Sequence, residues 1–266
     1  MLIFESRRFL FWKERTIYFP PEEAVPLLPG QLGLLEMIRV SQSPVPSPDT
    51  PYLMRHRLVK TTCLDLTKGN EAVYKGMDAK SCRYVVRRGE QMSNQLEVQR
   101  NEGRAWADFV ELYNGFVARK GYAKPFAQWQ VKQWAPQSDV FVIYKDARAI
   151  CAHLLVRDRE ASRVRLILSA SRRLENAEDS ALAGILNRYL HWREIQCYGA
   201  EGIALFDLGG IEDDSSPITK FKLSFGGFEK VEHSFVLADR VTLAAHSFYR
   251  RLQRWYKQPR RQQRFA

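Results

Sequence analysis

A mixed α/β (α+β) domain with a mostly antiparallel sheet, a strand-helix-strand crossover and flanking helices is the fold this sequence predicts, on three observations. Apolar runs at 140–144, 149–156 and 164–169 follow one another with only the polar segments 146–148 and 157–163 between them, which is the pattern of an antiparallel meander. A long amphipathic helix comes next, with Leu182, Ile185, Tyr189, Trp192 and Gln196 as its core-facing stripe. Gly199 and Gly202 close it before a strand at 203–208, so strand, helix and strand form a right-handed crossover with parallel strands.

The chain has 266 residues, 45% of them hydrophobic and 12% aromatic, enough to bury a real core and too apolar for disorder. The uncharged stretch at 24–35 contains two prolines and is far shorter than the roughly 20 apolar residues that a spanning helix needs. Glu5, Arg7, Arg8, Lys13 and Glu14 interrupt any leader-like core, so the expected location is the cytoplasm. Cys63, Cys82, Cys151 and Cys197 form no C-x-x-C pair and read as reduced, mostly buried thiols. Net charge is +11, of which eight Arg and Lys with no acidic residue lie between Arg240 and Ala266; removing those eight leaves +3 for residues 1–239. The basicity is a property of the C-terminal segment and points to an anionic partner, RNA or a phospholipid surface at the inner face of the membrane, or else to a solvated helix face.

Residues 1–60 read as a strand-rich segment, with 9–12 and 16–19 pairing across 13–15 and a further strand around 32–40. Four prolines within 43–51 make a linker and place a boundary there. Residues 61–238 form the main domain, opening with a short strand at 62–66 and a polar helical stretch at 70–88. Trp106, Phe109, Val110, Tyr113 and Val117 recur at helical spacing in a helix that ends near Gly121. In the terminal segment, 239–266, Val241, Ala244, Ala245, Phe248, Leu252 and Trp255 share one side, with Arg250, Arg251, Arg254 and Lys257 beside or opposite it.

The stretch that carries chemistry is FDLGGIEDDSSPITKFKLSFGGF, residues 206–228. Ser216 suits an N-cap, Pro217 the first helical position, and Gly226 or Gly227 a left-handed stop. On the resulting short helix Ile218, Phe221, Lys222 and Phe225 share a face, while Lys220 points the other way. A lysine among apolar groups is retained when an anion or carbonyl meets it, so Lys222 is the leading catalytic candidate; an ion pair with Asp207 or an outward-reaching stem is the structural alternative. Gly209 and Gly210 permit close backbone approach beside it. Glu212, Asp213 and Asp214 lie together with no histidine at ligand spacing, and no metal is expected. Asn187, His191 and Glu194 form a polar stripe opposite the apolar stripe of the long helix; His191 is either a general base or a surface or core-satisfying histidine, and Asp207 either orients Lys222 and the acceptor amine or fixes a loop.

NRYLHWREIQCYGAEG, then FDLGGI, then ITKFKLSFGG resembles the Fem-type branch of the GNAT acyltransferase superfamily, in its single-domain form, and LDLTKGNEAVYKGMDAKSCRYVVRRGEQ upstream resembles the same branch. The similarity covers residues 60–235. It implies a GNAT-like domain in which two neighbouring strands splay apart, the acyl donor enters the gap, and an amine attacks its carbonyl directly. Phe221-Lys222 matches the family's FK pair, which serves the donor end and the transition state, and the strand at 164–169 would line the donor through Ser169. Further donor contacts implied are Arg172, Arg173, Gly209 and Gly210, with Asn187 toward the acceptor. The donor would be an acyl-CoA or an aminoacyl-tRNA, and the acceptor an amino sugar or peptide stem of a cell-envelope precursor. The turn after Ser169 reads SRRLENAEDSA, whose Glu175, Glu178 and Asp179 would repel the phosphates that the usual glycine-rich CoA loop grips. That departure favours an aminoacyl-tRNA or a differently bound thioester. The other functional class that the sequence permits is a non-catalytic RNA-binding or membrane-adjacent scaffold built on the basic C-terminal helix.

Overall fold

The computed structural model describes residues 1–7, 12–121, 125–211, 213 and 215–248 in full, and the backbone of residues 8 and 249–257. The chain forms two compact units. Unit 1 holds residues 1–2 and 59–232, and unit 2 holds residues 3–58 and 233–266. The chain passes between them inside three strands, β1 (Leu2–Arg8), β4 (Leu53–Asp65) and β10 (Phe228–Ala238).

In unit 1 the strand order is β4, β9 (Leu205–Ile211), β8 (Arg163–Ser171), β7 (Arg148–Asp158), β6 (Ser138–Lys145) and β5 (Leu96–Arg100). Every pair is antiparallel except β8 with β9, so the sheet is mixed and mostly antiparallel, as the sequence predicts. Both faces are covered, which explains why these strands are continuous apolar runs without alternation. Val140, Val142 and Tyr144 pack with Phe109, Tyr113 and Val117 of α3 (Ala105–Lys120) on one face. Phe141 and Ile143 pack on the other with Leu186, Leu190 and Ile195 of α5 (Ala177–Ala200) and Val86 of α2 (Tyr84–Gln91). The polar stretch after β4 is broken into α1 (Asn70–Gly76), a wide turn and α2. Helix α5 is the crossover between the parallel strands β8 and β9. The expected turn at 157–163 is shorter than predicted: Arg157 and Asp158 extend β7, and Arg163 opens β8.

In unit 2, β1 (Leu2–Arg8), β2 (Trp12–Tyr18), β3 (Glu36–Ser43) and β10 lie side by side, followed by the first part of β4. The predicted hairpin 9–12 with 16–19 is corrected, because 13–15 lies inside β2 and pairs in parallel with β3; residues 9–11 lie outside the described set. Ile17, Ile38, Val40, Phe235 and Leu237 pack on Val25 and Leu28 of the 3-10 segment Glu22–Gln31. The proline-rich stretch joins β3 to β4 within this unit. In the terminal helix α7 (Arg240–Lys257) Thr242 is buried, while Val241 and Phe248 of the expected apolar side are exposed. The side chains of Leu252, Trp255 and the basic residues from Arg250 onward lie outside the described set. No helix among the described residues is long and apolar enough to cross a membrane.

Candidate active site between two parted strands

Strands β8 and β9 pair only from Arg163↔Leu205 to Arg165↔Asp207, although β8 continues to Ser171 and β9 to Ile211. Each is held from its outer side over the remaining length: Cys151 pairs with Ser171, and Thr61 and Lys60 pair with Gly210 and Ile211. The strands therefore part, and the β8 backbone beyond Arg165 turns its inner edge groups into the gap.

The glycine after Leu208 shapes the edge of that gap. Gly209 has φ +89°, and a Cβ there would lie 3.2 Å from Lys222 Nζ and 3.3 Å from the Leu166 carbonyl oxygen. Gly210 continues β9, and its carbonyl accepts a 2.6 Å hydrogen bond from Lys222 Nζ. Lys222 itself is half-buried on α6 (Pro217–Leu223). The short helix departs from the expected pattern in one respect: Ile218 is 58% exposed and Thr219 takes the buried position, while Phe225, beyond the helix end, is buried. Gly226 lets the chain turn there at φ +77°, so close to α1 that a Cβ would clash with the Gly76 carbonyl.

Asp207 sits at the last paired position and is fully buried. It accepts from Arg163 at 2.6 Å, from Arg165 at 2.5 Å, from the Gly209 amide at 2.8 Å and from the Thr61 hydroxyl. Burial alone would raise its pKa, but Arg165 and Arg163 beside it hold the carboxyl below its ordinary value. Arg163 also grips Glu232 with two 2.7 Å bonds. The carboxylate thus clamps the point where the strands separate and fixes the Gly209 amide.

The polar stripe of α5 is corrected most sharply. It faces the core: His191 and Glu194 are buried, and His153 of β7 meets them. Glu194 accepts from His153 Nδ1 at 2.6 Å and from His191 Nδ1 at 2.9 Å, and the two imidazoles stack at 4.1 Å. His153 Nε2 lies 2.8 Å from Asn187 Oδ1, and the Ser169 hydroxyl reaches the same oxygen at 3.5 Å. Burial and the neighbouring His153 push His191 down to about 4, so its imidazole is neutral, while the two histidines outweigh burial and hold Glu194 down at about 2. Lys222 adds to the depression of His191. These three residues are the described cluster whose ligand atoms lie within metal-binding range, at up to 4.8 Å apart, and each already hydrogen-bonds within the cluster. Asp213 caps its own loop through Ser215, and Glu212 and Asp214 lie outside the described residues.

Phe221 is sandwiched between the His191 ring at 5.8 Å and the Arg188 guanidinium at 4.6 Å. Arg188 went unnoticed in the sequence. It is half-buried, meets no carboxylate among the described residues, and leaves its Nε without a partner. A cation within the polar stripe Asn187–His191 is the signal that marks it. His153 was missed because it stands alone in an apolar strand, and only its register opposite Ser169 places it over α5.

Arg172 and Arg173 stand apart from this group. Arg172 donates to the Ala149 carbonyl at 2.6 Å and to Glu175 at 2.9 Å, and Arg173 is exposed. The N-terminus of α5 is already satisfied: Asn176 caps the Asp179 amide, Asp179 takes two 2.9 Å bonds from Arg148, and Glu175 takes one at 2.8 Å.

No protein-family model and no curated protein sequence matches the chain. Solved structures do match it. FemX is 11% identical with a TM-score of 0.60 over 94% of this chain and 86% of that chain. L-PGS from Bacillus licheniformis is 12% identical with a TM-score of 0.55 over 92% and 84%. The C-terminal domain of a putative lysylphosphatidylglycerol synthetase from Agrobacterium fabrum is 16% identical with a TM-score of 0.53 over 94% and 84%. The resemblance seen in the sequence therefore holds at the level of architecture, and the chain has a Fem-like fold.

Proposed function

We propose that the protein is an acyl or aminoacyl transferase that forms an amide on an amino group. The observation that carries this reading is the gap between β8 and β9 with Lys222 at its edge. In the proposed reaction the acceptor nitrogen attacks the donor carbonyl carbon, the C–N bond forms, and the carbonyl electron pair moves to oxygen. The Lys222 ammonium and the inner-edge amides of β8 stabilise that oxyanion; its collapse expels the donor's thiolate or ribose hydroxyl, which leaves with a proton. His191 is neutral at physiological pH and is the proposed acceptor of the amine proton, with Glu194 behind it to stabilise the imidazolium. Asp207 acts by fixing the Gly209 amide, and Gly209 and Gly210 let the donor approach. Phe221 and Arg188 offer an aromatic and cationic wall to the donor, Ser169 lies on the donor side, and Asn187 lies toward the acceptor.

The occupied N-terminus of α5 favours an aminoacyl-tRNA over an acyl-CoA held by its pyrophosphate, with Arg172 and Arg173 contacting the donor beyond the gap. The fold's occurrence in a domain named for lysylphosphatidylglycerol synthesis, an aminoacylated product, supports the same choice. An amino sugar or peptide stem of an envelope precursor as acceptor, a cytoplasmic location, and contact of residues 240–266 with tRNA or an anionic membrane complete the proposal.

The test is transfer of label from charged tRNAs and acyl-CoAs to amino-sugar and peptide acceptors, followed by mass spectrometry. Label moves to an acceptor amine, and Lys222→Ala lowers kcat/KM by about 10²–10³ at unchanged Tm. Absence of transfer across the donor panel, together with identical donor binding by Lys222→Ala, would overturn it.

A further inference from the structure

Unit 2 has one apolar sheet face, covered by the segment Glu22–Gln31, and one polar face. On the polar face Tyr18, Arg39, Ser41, Arg55, Arg57 and Ser234 line a cleft of about 240 Å³, and no carboxylate lines it. Each comes from a different strand or from alternate positions of one strand. Tyr18 of β2 stands beside Ser41 of β3 in the parallel register, Arg39 lies two residues back, and Arg55 and Arg57 project from the same side of β4 about 6.6 Å apart.

The charge here is not consumed internally. Arg39 is paired with Glu14, but Arg55 and Arg57 are exposed and meet no acidic group among the described residues. Two exposed guanidiniums at alternate positions of one strand present two cationic forks on the same side. The remaining lining includes the hydroxyls of Ser41 and of Tyr18, whose ring is held edge-on by Phe4 at 5.9 Å; the Ser234 hydroxyl already donates to the Val40 carbonyl. Forked guanidiniums with hydroxyls around them match phosphoryl oxygens better than a single carboxylate.

We propose that this cleft is a binding site for a diphosphate group, with Arg55 and Arg57 each taking one phosphoryl and Arg39 and Ser41 closing around the bridge. The site lies wholly in unit 2 and does not rest on the transferase reading: either can fail alone.

Isothermal titration of the full chain with inorganic pyrophosphate tests it, with orthophosphate as reference. Pyrophosphate binds more tightly than orthophosphate, and Arg55→Gln/Arg57→Gln weakens it by at least about tenfold at an unchanged urea midpoint. Arg260→Gln/Arg261→Gln, in the basic terminal segment, binds as the unaltered protein does. ADP and geranyl diphosphate then separate a soluble nucleotide source from a lipid-linked one, since whichever gains over pyrophosphate names the attached group. No pyrophosphate binding, binding untouched by Arg55→Gln/Arg57→Gln, or binding lost equally in the terminal variant overturns the proposal.

Discussion

The ammonium of Lys222 donates to the carbonyl oxygen of Gly210 at 2.6 Å, across a glycine neighbour with no side chain to keep it away. The lysine is thus positioned by main chain, and the main chain in turn is positioned by Asp207, whose carboxylate holds the Gly209 amide. A substitution at any of the three positions should be felt at the other two.

Gly209→Ala combines a left-handed backbone with a Cβ against Lys222 Nζ and the Leu166 carbonyl. The expected cost is about 1–3 kcal/mol in urea unfolding, with a loss of transferase activity comparable to that of Lys222→Ala. An alanine variant with unaltered midpoint and activity would show that the close approach is unimportant.

Arg163→Met removes the cation shared by Asp207 and Glu232 and leaves two buried carboxylates under-compensated. Stability should fall by about 3–5 kcal/mol, and Asp207→Asn added to that variant should restore part of it. A full double-mutant cycle in urea measures both.

Acid should weaken the fold in two stages. His191 takes up its proton at about 4 in the folded chain and near 6.5 when unfolded, so the unfolded state binds more protons between those values, and stability falls as pH drops through that window. Glu194, held at about 2 against an ordinary 4.5, contributes stability that is present above 4.5 and is lost as pH falls from there toward 2. For His191 the slope is about 1.4 kcal/mol per pH unit, and His191→Gln should flatten it between pH 6 and 5 in urea midpoints.

Native thiol labelling should discriminate among the cysteines. Burial pushes Cys63 up to about 12, Cys82 up to about 11 and Cys151 higher still, whereas Cys197 is only half-buried and is raised less far. Maleimide at neutral pH should modify Cys197 first and the other three only after unfolding, as read by mass spectrometry of the peptides.

What the sequence made legible was local. Three strands, the crossover helix and the short helix that carries Phe221 and Lys222 follow from periodicity and caps, which depend on residues a few positions apart. The polar stripe of α5 was placed on the wrong side because hydropathy treats His191 and Glu194 as solvent-seeking, and only His153, 41 residues before Glu194, makes their burial affordable. The clamp at Asp207 was hidden for the same reason: its partners Arg163 and Thr61 are 44 and 146 residues away. Two arginines at alternate positions of an apolar strand, Arg163 and Arg165, were the available hint of a buried anion nearby.

Unit 2 is woven from the two ends of the chain: Ile38 of β3 pairs with Leu237 of β10, and Trp12 donates to Thr242 of α7 at 2.8 Å. During synthesis, β3 must therefore wait for roughly two hundred further residues before its antiparallel neighbour exists. Strands β5 to β9 of unit 1 are all made before β10, and the arginine-lined cleft, which draws Ser234 from β10, takes shape after them.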